Sequence, residues 1–376
     1  MTETLIAPPG LKGVVVADTE IGEVRGAEGF FHYREHDAAR LAGERGFEEI
    51  WHLLVDGHLP DPAELDAFTA EVAPLRALPP ELAELVPVVA GSGQERDLMP
   101  RLRTCLSQLG AVEGFAPVWG ADRASVRADV LRVAAVVPTL LAALHRTRQG
   151  LDPVAPDPGL SAGANWLRMV TGETPTAEVE RAIGTYLGLT VDHGFNASTF
   201  TARVITSTGA DVVAAVCGAI GSFTGPLHGG APDRALDALD EIGTPDRVEP
   251  WVREQVAAGR RIMGFGHGVY TTEDPRARVL RGIAAERGGE LYEFAAATER
   301  TVLATLAELK PGRRLDVNVE FWAGVVMEQC GLPRSMFTPT FTCARVVGWG
   351  AHILEQAAGT KIYRPLARYT GPEPRR

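Results

Sequence analysis

The stretch "DPAELDAFTAEV", residues 61–72, carries a complete signal for the start of a helix. Asp61 is suited to cap the first turn, Pro62 fits the first helical position, and Glu64 lies where a capping box needs a glutamate. The apolar residues recur at helical spacing: Leu65, Phe68 and Val72. The pattern predicts an amphipathic helix and indicates a fold built mainly from helices.

Segments on both sides of this helix carry similar signals. Residues 47–60, "FEEIWHLLVDGHLP", predict an amphipathic helix that ends at Gly57, ahead of a proline. Residues 174–189, "TPTAEVERAIGTYLGL", begin with Thr174, which is suited to an N-cap and is followed by a proline. Residues 133–144, "VAAVVPTLLAAL", are mostly apolar but too short to span a bilayer, so they predict a buried helix.

Strand signals are confined to the N-terminal part of the chain. Residues 13–35, "GVVVADTEIGEVRGAEGFFHYRE", alternate short β-rich runs with glycine turns and predict a small meander. Residues 148–159, "RQGLDPVAPDPG", predict a surface loop. Elsewhere, segments rich in Ala, Leu and Val are separated by Gly and Pro. The expected fold class is therefore mainly α, with a small N-terminal β-meander.

The composition narrows the class of protein. Of the 376 residues, 45% are hydrophobic and 23% are charged, and the net charge is −11. No basic cluster stands out, so nucleic acid is not an expected partner. The N-terminus lacks the basic and apolar regions of a secretory signal. The four cysteines are far apart and fit neither a zinc nor a disulfide spacing. These features predict a cytoplasmic protein with reduced thiols and no membrane association.

Three histidines are framed by glycines or turn-forming residues: His193 in "VDHGFNAST", His228 in "GPLHGGAP" and His267 in "GFGHGVY". Glycines let a backbone approach a ligand closely, and histidine titrates near neutral pH. The histidines are too far apart in the chain for a local metal motif, so a three-histidine metal site would need tertiary contacts. Five other histidines are expected to be caps or core residues: His32, His36, His52, His58 and His145.

Three arginines supply a complementary pattern. Arg276 follows Asp-Pro in the loop that carries His267, Arg345 lies in "FTCARVVGWGAH", and Arg364 lies in "YRPLARY". The guanidinium group binds carboxylates through two parallel hydrogen bonds, so several arginines in one pocket would suit a di- or tricarboxylate. The residues alone therefore predict acid–base chemistry on a small anionic molecule.

Several blocks, in this order, resemble the motifs of the citrate synthase family. They are "DHGFNASTFTARV" (192–204), "GPLHGGAPDRAL" (225–236), "GFGHGVYTTEDPRAR" (264–278), "NVEFWAGVVMEQCGLPRSMFTPTFTCARVVGWGAHILEQ" (318–356) and "IYRPLARY" (362–369). The N-terminal segments resemble the opening of the same family. The resemblance covers nearly the whole chain, with poorer agreement from about residue 90 to about residue 160.

The resemblance implies a largely α-helical homodimer with two domains that close around the substrates. The large domain would comprise residues 1–222 and 336–376, and the small domain residues 223–335. The implied reaction is the condensation of acetyl-CoA with oxaloacetate, followed by hydrolysis of the thioester, as in the tricarboxylic acid cycle. The family needs no metal or organic cofactor, because coenzyme A arrives as part of the substrate.

The resemblance also implies roles for individual residues. A carboxylate removes the α-proton of the thioester while a donor stabilises the enol oxygen. His228 would be that donor, and His267 would hydrogen-bond and protonate the keto oxygen of oxaloacetate. Three residues would hold oxaloacetate, and one would come from the partner subunit: His193, Arg276 and Arg345, with Arg364 from the partner.

The first departure from the family lies at the expected base. The usual Asn-Val-Asp-Phe reads "NVEF" here, so Glu320 stands in place of the aspartate. The extra methylene moves the carboxylate by about 1 Å, a misplacement that can cost about 10²-fold in rate. Glu320 is a working base in a repacked site, adapts the site to another substrate, or marks a silent paralogue. Asp316 would share a helix face with Glu320 if that segment were helical, but it is not the matching position.

The second departure lies in the loop that carries His267. Gly268 and Thr271 stand where the family often has basic residues, and a basic side chain at the latter position would suit coenzyme A phosphate. Arginines nearby in the chain are candidates to replace this contact: Arg260, Arg261, Arg278 and Arg281. Affinity for the thioester therefore depends on residues that the family pattern does not identify.

Three alternatives to a citrate synthase remain open. A 2-methylcitrate synthase would use propionyl-CoA, and one methylene in a pocket changes binding by only about 1–3 kcal/mol. A silent paralogue would bind oxaloacetate or coenzyme A without turnover. A metal-dependent enzyme would gather His193, His228 and His267 around an ion.

Overall fold

The computed structural model describes residues 5–92, 98–225, 228 and 232–374, and it has the expected mainly α fold. Short 3₁₀ turns lie at Pro9–Leu11, Pro245–Arg247 and Arg334–Met336. The helices are α1 Ala38–Glu44, α2 Phe47–Asp56, α3 Pro62–Leu75, α4 Pro80–Gly91, α5 Leu98–Glu113, α6 Arg123–Arg148, α7 Ala162–Thr171, α8 Ala177–Thr190, α9 Ala197–Thr206, α10 Val212–Phe223, α11 Pro232–Ile242, α12 Val248–Ala257, α13 Pro275–Arg287, α14 Glu290–Leu309, α15 Val319–Gln329 and α16 Phe337–Ala357.

Two of the three helix ends predicted from local sequence signals are confirmed. Asp61 accepts the Glu64 N–H at 2.9 Å, and the Glu64 carboxylate accepts the Asp61 N–H at 2.9 Å, which confirms the capping box of α3. Gly57 ends α2 with a φ of 93°. The cap expected at Thr174 is wrong. Thr176 caps α8 instead, because its hydroxyl accepts the Val179 N–H, while Thr174 precedes a proline and is biased toward extended backbone.

A three-stranded antiparallel sheet forms the predicted meander. Its strands are β1 Gly22–Arg25, β2 Phe30–Tyr33 and β3 His36–Asp37, paired in that order. The Tyr33 hydroxyl donates to the Gly188 carbonyl at 2.9 Å, which fixes the sheet on α8. The valine run at the start of the predicted stretch stays outside the sheet and lines a cleft instead.

The main core forms around α6, which packs against α16, α4, α5 and α7. The predicted buried segment within α6 is buried apart from Pro138. By length and composition α6 is the one helix of the described chain that could cross a membrane, and 78% of its apolar window is buried inside the protein. Three fully buried tryptophans fill the core: Trp166, Trp322 and Trp349.

A smaller hydrophobic cluster lies within the segment predicted to be the small domain. It joins α11, α12 and α14 through six buried side chains: Ile242, Val248, Val252, Ile262, Val302 and Leu306. Other helices of that segment, α13 and α15, contribute to the main core. The division into residues 1–222, 223–335 and 336–376 stays a prediction.

The capping box makes a stability prediction. Asp61→Ala removes the side chain that accepts an N–H group in the first turn of α3, so the free energy of unfolding should fall by about 1 kcal/mol. Asp66→Ala, at an exposed position of the same helix, removes the same charge and should change the free energy by less than about 0.5 kcal/mol. Urea unfolding measures both, and equal losses would contradict a capping role.

Candidate active site

Six of the seven predicted site residues line one cleft of about 1660 Å³. His193 lies in the loop between α8 and α9, His228 follows α10, and His267 lies in the loop between α12 and α13. Arg276 and Glu320 lie in the first turns of α13 and α15, and Arg345 lies in the middle of α16. The six are His193, His228, His267, Arg276, Glu320 and Arg345. The fold thus brings together residues that are far apart in sequence, while their chemical roles stay predictions.

The loop that carries His267 is fixed by its glycines. Gly264 and Gly266 have φ values of 84° and 85°, which only glycine adopts without strain. The Gly266 N–H donates to the Asp316 carbonyl at 2.8 Å, and the Asn318 N–H donates to the Gly264 carbonyl at 2.9 Å. These bonds place His267 beside the first turn of α15.

His267 is held in one neutral tautomer. Its Nδ1 accepts the Val269 N–H at 2.9 Å and the Tyr270 N–H at 3.1 Å, so we assign the ring proton to Nε2. Burial, and then the Arg276 guanidinium, lower the pKa of His267 to about 4. Arg276 Nη2 lies 3.4 Å from Nε2, and since both atoms carry hydrogen this contact is not a hydrogen bond but a repulsive one, which disfavours a second proton on the ring. At neutral pH the ring therefore offers an N–H donor.

His228 is also held in one neutral tautomer, but the donor and acceptor roles of its two ring nitrogens are exchanged relative to His267. Its Nε2 accepts the Ser198 N–H at 3.3 Å and lies 2.8 Å from the Ser198 hydroxyl, so we assign the proton to Nδ1. The Trp349 indole donates to the same hydroxyl at 3.1 Å. Burial, and then Arg345, lower the pKa of His228 to about 4. This ring is also a neutral donor.

His193 connects the other parts of the cleft. Its Nε2 lies 3.0 Å from the Tyr270 hydroxyl, and its ring centre lies 5.8 Å from that of His267. Burial lowers the pKa of His193 well below its ordinary value, and the charges of Arg276 and Arg345 add to this effect. Tyr270 packs between these groups, and no separate signal in the sequence points to it.

The two buried arginines differ in their partners. Arg276 donates to Asp274 from Nε at 3.0 Å and from Nη2 at 2.8 Å. Arg345 donates from Nε to the Thr190 carbonyl at 3.0 Å, and among the described residues it forms no ion pair. The pKa of Arg345 is lowered to about 10, chiefly by burial. The Asp192 carboxylate opposes this shift, and the charge of Arg276 adds to it. A buried cation facing a cleft with one carbonyl partner favours an anionic ligand.

Glu320 lies in the first turn of α15 and lines the cleft. Its N–H donates to the Asn318 side-chain oxygen at 3.0 Å, and the Asn318 amide donates to the Gly266 carbonyl at 3.0 Å. The cap of the helix is therefore bonded to the His267 loop. Asp316 precedes the helix, pairs with Arg314 at 2.8 Å, and does not share a helix face with Glu320.

Arg364 is the predicted site residue that the fold of one chain does not bring to the cleft. It is exposed in the C-terminal segment that follows α16. The neighbouring Tyr363 N–H donates to the Ser207 hydroxyl at 3.1 Å, which holds the segment near the end of α9. Its predicted role requires a second chain and stays a prediction.

The cleft lining includes cations from the segments that follow α12 and α14, two helices that pack together, and this group is called the basic end. Of the four arginines considered from the sequence, Arg260 and Arg261 line it. Arg278 and Arg281 lie outside the lining and contact Glu273 at 3.8 Å and 2.8 Å. Two further cations line the same end and were missed from the sequence: Lys310 and Arg313. They flank a Pro-Gly turn just before the "NVEF" block, a position that gives no signal without the fold.

The geometry does not favour the three-histidine metal site. Within residues 5–92, 98–225, 228 and 232–374, no group of three or more His, Cys, Asp or Glu side chains is arranged to hold a metal ion. One ring nitrogen of His228 and one of His267 already accept backbone N–H groups. All four cysteines are unpaired, and three are buried.

Comparisons with known proteins agree with this arrangement. The family model "Citrate synthase, C-terminal domain" matches residues 10–366. A "Putative citrate synthase 2" of Mycobacterium tuberculosis is 40% identical, over 98% of this chain and 94% of its own. A "2-methylcitrate synthase" of the same species is 37% identical, over 97% and 91%.

A solved structure is similar over nearly the whole fold. It is the ternary complex of carboxymethyl coenzyme A and oxaloacetate with citrate synthase from Thermoplasma acidophilum. Its TM-score is 0.87 at 27% identity, and the match covers 97% of this chain and 96% of that one.

The depressed histidine pKa values make a prediction about stability and pH. In the unfolded chain histidine ionises near pH 6.5, while His228 and His267 stay neutral in the fold down to about pH 4. The unfolded state therefore binds more protons between these values, and the fold should lose stability as the pH falls from about 6.5 to about 4. The His267→Gln variant should lose less free energy of unfolding than wild type over this pH range, as measured by urea unfolding.

His58→Gln is the control with the opposite sign. The Glu64 carboxylate raises the pKa of exposed His58, so protonated His58 stabilises the fold at low pH. Loss of the His58 side chain should therefore make the free energy of unfolding fall more steeply as the pH decreases. Equal declines in wild type and His267→Gln would contradict a neutral, buried His267.

Proposed function

Because the chain belongs to the citrate synthase family, we propose that it condenses acetyl-CoA with oxaloacetate to give citrate and free coenzyme A. The observation that carries this proposal is the convergence of neutral imidazole donors, buried guanidinium groups and the Glu320 carboxylate in one cleft. Each group matches a charge that the reaction develops. Family membership supplies the reaction, and the cleft supplies the residues for it.

Oxaloacetate would bind at the buried end of the cleft. Arg345 and Arg276 offer N–H donors to its carboxylates, and His193 adds a neutral donor or acceptor beside them. Arg276 already shares its charge with Asp274, so Arg345 supplies the less compensated positive charge. Two guanidinium groups suit a dicarboxylate because each binds a planar carboxylate through two hydrogen bonds.

The condensation would proceed by enolisation followed by attack. Glu320 takes a proton from the methyl group of the thioester, and His228 donates its Nδ1–H to the enol oxygen. The enol carbon then bonds to the keto carbon of oxaloacetate, and His267 donates its Nε2 proton to the new alkoxide. Water attacks the thioester carbonyl, the C–S bond breaks, and the thiolate leaves as coenzyme A. The proton that Glu320 took returns to His267. One proton of the water goes to the departing thiolate to give coenzyme A, and the other stays with the new carboxylic acid group until it ionises, so the site regains its starting protonation.

Glu320 is proposed as a working base despite its extra methylene. Its helix begins beside the His267 loop through the Asn318 bridge, so the carboxylate and the imidazole are parts of one packed unit. The first turn of a helix also favours a negative charge. The competing interpretations are adaptation to another acyl-CoA or keto acid, and a silent paralogue that binds without turnover.

The basic end of the cleft would hold the phosphates of coenzyme A. Arg260, Arg261, Lys310 and Arg313 lie there together, while Gly268 and Thr271 provide no cation. Arg260 is partly compensated by Gln255 at 2.6 Å and Glu254 at 3.4 Å. The cluster would thereby replace the basic contact that is missing from the loop.

The remaining parts of the proposal concern assembly and location. We propose a cytoplasmic homodimer, acting in the tricarboxylic acid cycle, in which each subunit lends Arg364 to the site of its partner. The exposed C-terminal segment supports this assembly, because Ile362, Leu366 and Tyr369 are apolar side chains with little cover in one chain. A second candidate is a 2-methylcitrate synthase, which the Mycobacterium tuberculosis relative of that name favours.

The release of coenzyme A thiol tests the reaction and the base together. Purified protein with oxaloacetate should release thiol from acetyl-CoA faster than from propionyl-CoA; the reverse ratio would favour the 2-methylcitrate reaction. Glu320→Gln should lower kcat by about 10³-fold, because it removes the general base. Glu320→Asp should lower kcat by about 10²-fold, since the site is packed for the longer side chain.

The control for these variants lies on the same helix. Glu328→Gln removes a charge that pairs with Arg334 at 2.8 Å, outside the cleft lining, and should leave kcat unchanged. A rise of several orders of magnitude in Glu320→Asp over a negligible wild-type rate would overturn the working-base proposal. It would favour the silent paralogue instead.

The basic end makes a separate prediction. The double variant Lys310→Gln/Arg313→Gln should raise KM for the acyl-CoA by at least about 10-fold, which corresponds to about 1.4 kcal/mol. KM for oxaloacetate should not change, because neither cation lies on the segments that carry the proposed oxaloacetate ligands His193, Arg276 and Arg345. Arg278→Gln, which removes a cation outside the lining, is the matched control. An unchanged KM for the acyl-CoA would contradict this assignment.

A further inference from the structure

The turn between β1 and β2 approaches the His267 loop at van der Waals distance or closer. A Cβ atom on Gly26 would lie 2.2 Å from the Val269 carbonyl oxygen, a distance that real Cβ atoms do not reach. The Gly26 carbonyl accepts the Thr271 N–H at 3.2 Å. At the other end of the turn, a Cβ on Gly29 would lie 2.7 Å from the Thr272 hydroxyl. The turn is therefore a surface on which the loop rests.

The peptide that touches Gly26 is the one that holds the His267 ring. The carbonyl of the Val269–Tyr270 peptide faces Gly26, and the N–H of the same peptide donates to His267 Nδ1 at 3.1 Å. Because a peptide is planar, its carbonyl and N–H move together. Displacing the carbonyl from Gly26 therefore tilts the N–H that keeps Nδ1 an acceptor.

The same hairpin also contacts the segment that carries His193. The Phe31 ring centre lies 5.6 Å from the His193 ring centre, in an edge-to-face arrangement. A Cβ on Gly194 would lie 3.2 Å from Val24 Cγ2. One small sheet thus touches both histidine segments, and it fixes their separation through backbone and packing contacts.

We propose that Gly26 is a positioning residue for His267. By leaving space for the Val269 carbonyl, it keeps the Val269–Tyr270 peptide in the orientation that holds the imidazole proton on Nε2, toward the cleft. The catalytic consequence rests on the proposed function, whereas the effect on the tautomer does not. The sequence predicts Gly26 only as part of a glycine turn in the β-meander, with no role at the site.

The Gly26→Ala variant tests the contact with Val269 without straining the backbone at residue 26. Gly26 is absent from the glycines with positive φ, so an L-residue fits its backbone conformation. The three atoms nearest to an added Cβ all belong to Val269, so the collision is confined to that residue. Gly43→Ala, in α1, is the matched control, because a Cβ there meets no atom within 4 Å.

The direct readout is the ring nitrogen signals of ¹⁵N-labelled histidine. The signal of His267 is assigned by its loss in His267→Gln. Wild type and Gly43→Ala should show a neutral ring protonated on Nε2. Gly26→Ala should show a mixture of tautomers, and kcat should fall by about 10²-fold, as for a displacement of about 1 Å, with a larger effect on kcat than on KM.

Two results would overturn the proposal. One is an unchanged His267 tautomer in folded Gly26→Ala, and the other is a wild-type ring protonated on Nδ1, a result that does not depend on any variant folding. If the tautomer changes as expected while wild type releases no thiol from either thioester, the positioning role stands and the proposed function fails.

Discussion

The site depends on two backbone hydrogen bonds between the glycine loop and the segment before α15. They join Gly266 to Asp316 and Asn318 to Gly264, and they form a short antiparallel bridge. A Cβ on Gly264 would lie 3.0 Å from Phe321 Cβ, so a glycine is required both for the conformation and for the approach. Without this bridge, His267 and Glu320 would belong to unrelated parts of the chain.

Burial and the charges around the bridge together determine the protonation state of the histidines, and burial is the larger effect. Arg276 and Arg345 are buried beside three imidazole rings, and their positive charges disfavour a further proton on any of them. The rings therefore act as hydrogen-bond donors of fixed orientation rather than as cations. The positive charge that attracts an anion is supplied by the guanidinium groups, which remain ionised in the same surroundings. In the proposed function, binding and proton donation thus fall to different side chains.

Local sequence signals predicted much of the fold. The capping box of α3, the glycine end of α2 and the buried segment of α6 are each specified by neighbouring residues, and the mainly α class is confirmed. The valine run near residue 14 was wrong as a strand, because its partner is the cleft rather than another strand. Thr174 was wrong as a cap because two threonines compete there and only the second reaches a free N–H.

The site residues were predicted only in part, and from signals other than those that predicted the helices. Glycine-framed histidines and the family blocks identified six residues that the fold brings to one cleft. Tyr270, Ser198 and the two cations near Pro311 could not be found in this way, because their importance comes from tertiary contacts between distant segments. Arg278 and Arg281 were plausible by position in the chain, but Glu273 neutralises them outside the cleft.

The Asp274 carboxylate has a consequence for how the parts of the site depend on one another. It accepts from Arg276 through both oxygens, and one of those oxygens also accepts the Val319 N–H at 3.1 Å. Arg276, the proposed ligand anchor, and Val319, the residue preceding Glu320, are therefore bonded to one carboxylate group. A change that displaces Asp274 therefore acts on Arg276 and on the start of α15 at once.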